Sequence, residues 1–114
     1  MELREQIISV LRGHGVVKMS VAPLCMVDLV EIYLTDFEDM LMSKLLRDVA
    51  ERYGVEKRIL MQRLGGLARQ IHRKDPQWYC ETFPEGYSTP VFLRAVAREV
   101  QLSLWDAPPL AGIG

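Results

Sequence analysis

Cysteine is scarce in this chain: Cys25 and Cys80 are the only two among 114 residues. Two thiols cannot make a disulfide framework, and the expectation is a pair of reduced, half-buried cysteines in a cytoplasmic protein. Long apolar runs are missing as well. The longest stretch without a charge, Met19 to Val27, contains Pro23 and falls far short of the roughly 20 residues a bilayer-spanning helix needs, so no membrane partner is expected. The start, Met1-Glu2-Leu3-Arg4-Glu5, lacks the basic-then-apolar layout of a secretory signal, and Met1 itself is expected to be the natural start. Net charge is nearly absent, −1 with a pI near 6.1, which excludes a uniformly basic coat for nucleic acid and leaves local patches open. What remains is ordinary: 49% hydrophobic and 25% charged residues exclude disordered and collagen-like classes, and the length suits one domain with one core.

The periodicity is helical throughout, with no strand pattern. Leu3, Ile7, Ile8 and Leu11 make one helical stripe that Gly13 and Gly15 stop. Ser20 is a candidate N-cap for a second helix running to about Leu34. Pro23 is tolerable in its first turn, and its several apolar faces predict a central place. Thr35 and Asp36 break it, and Phe37 to Met42 reads as a short turn or the start of a third helix. Ser43 is a candidate cap for a helix through Leu45, Leu46, Val49, Ala50 and Tyr53 that ends at Gly54. The next begins near Glu56, carries Leu60, Leu64, Leu67 and Ile71 on one side, and ends at Asp75-Pro76. A short helix is expected over Gln77–Phe83. Thr89-Pro90 then predicts a cap and first residue for a last helix through Val100. The fold class is therefore all-α: a single domain of five to six helices over residues 1–105, with a central helix-turn-helix at about 43–74 and a flexible tail over 106–114.

Ala50, Gly54 and Leu60 carry the helix-turn-helix spacing. A small residue lets the second helix cross closely, a glycine four positions on makes the tight turn, and an apolar residue six beyond locks the second helix down. Any helical bundle with a glycine loop could show this much, so the charge map matters. Residues 57–74 hold six basic side chains and no acidic one, so of the chain's 14 Lys and Arg and 15 Asp and Glu the rest keeps 8 and 15, a net −7. A local patch of this kind can bind a polyanion, because charge interactions are screened within about 10 Å; the plainer alternative is a solvated basic face. At about 100° per residue, the side opposite the leucines carries Arg58, Gln62, Gly65, Gly66, Arg69 and Arg73. Arginine on guanine and glutamine on adenine are the usual major-groove pairings, which makes Arg58 and Gln62 the candidate base readers. Arg69, Arg73 and Lys74 are candidates for phosphate contact, and Lys57 and Arg63 are candidate DNA-binding residues of the same basic patch. Each glycine of the Gly65-Gly66 pair costs a helix up to about 1 kcal/mol. The pair is therefore read as a place of close approach, by a DNA backbone or another helix, or else as a kink.

Little else carries chemistry. His14 in its glycine turn and His72 at a helix end have no partners at ligand spacing, so no metal or cofactor is expected. The carboxylates from Asp28 to Asp39 read as a solvated acidic face, with a dock for a basic partner as the alternative. Trp78, Tyr79 and Phe83 are read as core of the C-terminal half. No nucleophile–base or metal constellation is visible, so neither an enzyme nor a small-molecule substrate is expected.

From Ile7 to about Leu104 the chain resembles the C-terminal effector domain of the sporulation-initiation response regulator of endospore-forming bacteria. The likeness lies in Ile7-Ile8 through Gly15-Val16, in the Leu24–Asp36 helix, in LLRDVAERYG at 45–54 where the family reads like LYPDIAKKFN, and in YSTPVFLRAVAREVQL at 87–102. The resemblance implies a six-helix domain with a central helix-turn-helix, and a bacterial transcription factor that binds a short promoter box in double-stranded DNA as a tandem homodimer. The helix EKRILMQRLGGLARQIH departs from the family's base-contacting pattern: Gly65-Gly66 stand where the family has an Arg-His pair, and Met61 and Gln62 where it has Glu-Arg. The DNA-contacting assignments therefore come from helix geometry. The chain also has no receiver domain, so activation by phosphorylation is not carried over. The alternative to a DNA-binding regulator is a helix-turn-helix-derived interaction module that regulates a related transcription factor, docking through Ile59, Met61 and the Gly65-Gly66 face.

Overall fold

A computed structural model describes residues 2–36 and 41–106. Within them the chain forms six helices and no strand: α1 Leu3–Gly13, α2 Val21–Thr35, α3 Met42–Arg52, α4 Lys57–Lys74, α5 Pro76–Thr82 and α6 Thr89–Asp106. Among the described residues no helix is long and apolar enough to cross a membrane.

α2 is the hub, as its composition predicts. Cys25 to Val30 are buried in an unbroken run, because α1, α3, α4 and α6 all pack around this helix. Ile7 and Leu11 of α1, Leu45, Leu46 and Val49 of α3, Leu60, Leu64, Leu67 and Ile71 of α4, and Phe92, Leu93, Val96 and Val100 of α6 complete one continuous core.

Two helices end in the same way. In α1 the amides of Gly15 and Val16 donate to the carbonyls of Arg12 and Leu11, and in α3 those of Gly54 and Val55 donate to Glu51 and Ala50. Each pair is a Schellman closure, which requires a left-handed residue; Gly15 and Gly54 supply it, with φ of 95° and 69°. At Gly15 a side chain would also collide with the stem of Lys74, whereas at Gly54 it would meet nothing within 4 Å.

Several caps differ from expectation. α3 starts at Met42 with Leu41 as its N-cap, so Ser43 lies inside the helix, where its hydroxyl accepts from Lys57 Nζ at 2.8 Å. Ser20 holds the N-cap position of α2 without a side-chain cap bond. α5 opens one residue early at Pro76, because Asp75 caps it by accepting from the Trp78 amide. α6 opens at Thr89 itself; the Phe92 amide donates to the Ser88 carbonyl, which moves the cap back by one residue. α6 continues to Asp106, one residue into the segment expected to be tail; 107–114 lie outside the described residues, as do 37–40 of the expected turn.

Candidate nucleic-acid interface

α3, the turn over Tyr53–Glu56 and α4 form the helix-turn-helix unit. Ala50 is buried at 2%, which lets α4 cross close over α3, and Leu60 is fully buried and pins the start of α4. The buried stripe of α4 is Leu60, Leu64, Leu67, Ala68 and Ile71. The opposite side faces solvent, with Arg58, Gln62, Arg69 and Arg73 exposed on it; Arg63 and Lys74 are exposed too but flank the buried stripe.

The α4 cations are mostly without acid partners. Glu56 lies 3.6 Å from Arg58, whose side chain stays 68% exposed. Among the described residues no carboxylate pairs with Arg63, Arg69 or Arg73. Three of the candidates are tied to the fold in part. Lys57 is half-buried and donates to Ser43. Lys74 lays its stem against Gly15. Arg69 folds back so that its guanidinium nitrogens lie 3.9 and 3.8 Å from where Cβ atoms would stand on Gly65 and Gly66.

The glycine pair sits inside a continuous helix, so it does not end α4. What approaches it in the folded chain is Arg69 from its own helix and, 3.8 Å from a Gly65 Cβ, the ring of Tyr87. Both distances are ordinary contact, so the domain's own packing does not require glycine there.

Tyr87 and Thr89, which the sequence did not mark as site residues, complete the surface. With Lys57, Arg58, Met61 and Gln62 they line an open groove of about 470 Å³ along the N-terminal half of α4. The Tyr87 ring is held by Phe83 and Phe92 at centroid distances of 5.3 and 6.1 Å, and its hydroxyl bonds Thr89 Oγ1 at 3.0 Å. Burial pushes the Tyr87 phenol up, so it stays neutral. Met61 is 36% exposed, while Ile59 is half-buried and not the open apolar contact expected of it.

Of the expected acidic face, Asp36 is exposed and Glu31 half-buried, Glu38 and Asp39 lie outside the described residues, and Asp28 departs from expectation. Asp28 is 4% exposed: Arg4 donates to it at 2.5 Å and the Tyr53 hydroxyl at 2.6 Å, with Arg52 at 3.6 Å. It is an internal anchor that ties the end of α3 to α1 and α2, and no α4 cation reaches it. Burial, and then the bond to Asp28, push the Tyr53 hydroxyl up to about 12. Burial and the Asp28 charge likewise push the Cys25 thiol up to about 11, which makes it unreactive. Cys80 is exposed rather than half-buried.

His14 also has partners, from far along the chain. Asp75 Oδ2 lies 2.8 Å from its Nδ1 and Glu99 Oε2 lies 2.8 Å from its Nε2, with the Trp78 ring 4.3 Å away. The carboxylates lie on opposite nitrogens, so they cannot converge on one ion, and no metal-binding group occurs among the described residues. Burial opposes the charged ring, but the bonds to Glu99 and Asp75 outweigh it and raise the His14 pKa; the same bond lowers that of Asp75. Of the expected aromatic core, Phe83 is buried, while Trp78 and Tyr79 are half-buried and carry His14 and His72 on their faces.

Comparisons with protein-family models, with characterised proteins and with solved structures returned no match. The site is therefore defined by its own geometry: a helix-turn-helix whose second helix presents an exposed cationic face on which, among the described residues, only Arg58 has a carboxylate nearby.

Proposed function

We propose that this chain is a sequence-specific DNA-binding transcriptional regulator, a binding protein rather than an enzyme, similar to the sporulation-regulator effector domain and acting in the cytoplasm. One observation carries this reading. α4 turns Leu60, Leu64, Leu67 and Ile71 into the core and leaves Arg58, Arg63, Arg69 and Arg73 exposed on a helix with no acidic residue. An α-helix of this kind fits the major groove, where Arg58 and Gln62 reach base edges while Arg63, Arg69, Arg73 and Lys74 lie along phosphates. Double-stranded DNA is the partner, bound as a tandem homodimer if the resemblance holds for assembly.

Selection of duplexes from a random pool, followed by titration at several salt concentrations, tests it. Enrichment of a short box, with affinity falling steeply as salt rises, is the expected result. No enriched duplex at moderate salt would sink the proposal.

The groove with exposed Met61 favours a second reading. There the fold docks an acidic protein partner through the same face, and pull-down by an acidic peptide without any duplex binding would select it.

A further inference from the structure

The groove beside α4 lies within the proposed interface, because two of its lining residues, Arg58 and Gln62, are the assigned base readers. Its floor is of a different chemistry. Met61, 36% exposed, and the Tyr87 ring, held by tilted and edge contacts with Phe83 and Phe92, both line it. The Tyr87 hydroxyl is bonded to Thr89 Oγ1, so the polar end of the ring is already engaged within the fold. It is formed before any ligand arrives and needs little ordering on binding.

Base edges in the major groove present hydrogen-bond donors and acceptors at every pair, and one apolar group, the C5-methyl of thymine. An apolar recess flanked by a guanidinium and a carboxamide complements a thymine next to a guanine or adenine. Resting on the DNA-binding reading of α4, we infer that Met61 and Tyr87 form a thymine-methyl seat, and that the preferred box carries a thymine adjoining the purines met by Arg58 and Gln62. DNA is favoured over an acidic peptide as occupant because the cations continue past the groove along Arg69 and Arg73, a track that suits a regular phosphate backbone.

Uracil in place of thymine removes that methyl and leaves base pairing intact, which makes the test specific. The probes are duplexes enriched from a random pool by the whole chain, with each thymine replaced in turn by uracil. At one position the wild type should bind the uracil duplex about fourfold more weakly, the effect of withdrawing one buried methyl. Met61→Ala, an exposed position that leaves the fold intact, should bind the thymine and uracil duplexes alike. Tyr87→Phe keeps the ring and should keep the preference. Equal affinity for thymine and uracil at every position, with duplex binding intact, overturns the seat and leaves the DNA reading standing. An unchanged thymine-to-uracil ratio in Met61→Ala overturns it too. If no duplex is enriched, or if only an acidic peptide binds, both readings fall together.

Discussion

Arginines at two places in this molecule do opposite things. Where α1, α2 and α3 meet, Arg4 meets Oδ1 of the buried Asp28 carboxylate and Arg52 and the Tyr53 hydroxyl meet its Oδ2, with Glu31 2.9 Å from Arg4. Along α4, Arg63, Arg69 and Arg73 have no carboxylate partner among the described residues. The difference lies in the helices they face. α2 holds Asp28 inside an apolar run, so its charge must be matched there, since an unmatched buried charge is costly. α4 contains no acid, and among the described residues no other element pairs one with Arg63, Arg69 or Arg73. A cation cluster held without counter-charges repels itself, and a polyanion relieves that repulsion.

The strongest way to break the comparison is at the matched end. Asp28→Ala should destabilise the domain by about 3 kcal/mol, because it takes the charged acceptor from the half-buried Tyr53 hydroxyl and leaves Arg4 with Glu31 alone, and the urea midpoint reads this directly. A change below about 0.5 kcal/mol would mean that the corner is as loosely held as the α4 face. At the unmatched end, Arg58→Ala and Gln62→Ala should leave the midpoint alone. Each should instead cost about 2 kcal/mol of affinity for the preferred box, with far less loss on other sequences. Equal losses on all duplexes would move both residues into the phosphate class.

The two Schellman turns sharpen the contrast in a different way. Gly15→Ala and Gly54→Ala both force a side chain into left-handed backbone, at a cost of about 1 kcal/mol. Gly15→Ala should cost more in thermal unfolding, since it must also displace Lys74. His14 gives a pH signature. Its pKa is raised in the folded state, so its contribution is complete below the unfolded value near 6.5 and is lost as pH rises through the higher folded value. Stability measured from pH 6 upward should therefore fall in the wild type and stay flatter in His14→Gln. The smallest effect belongs to Arg73→Ala, which should weaken every duplex alike by a few-fold and reduce the salt slope by about one.

Much of the fold was legible because its signals are local. Leucine spacing marked α4, glycine and proline marked the ends, and the apolar run of α2 marked the hub. Cap positions shifted by a residue or so where backbone geometry or a distant side chain took over, as when Lys57 claimed the Ser43 hydroxyl. The candidate site was legible as one helix face and no further. Tyr87 and Thr89 stand more than twenty residues from Gln62, and only the Tyr-Ser-Thr-Pro lead into α6 hinted that this segment had a role.

By itself the sequence determined that the chain is all-helical, that α4 is amphipathic, and that every charge on it is positive, because periodicity and charge are properties of neighbouring residues. Only the tertiary structure decided which charges are neutralised. Asp28 met Arg4 and Arg52, and His14 met Asp75 and Glu99, across separations that no local spacing encodes. Packing brought those groups within bonding distance and, among the described residues, paired no acid with Arg63, Arg69 or Arg73. The Tyr87 ring came to rest beside Gly65 for the same reason: its place is set by the aromatic contacts with Phe83 and Phe92, not by its own neighbours in the chain.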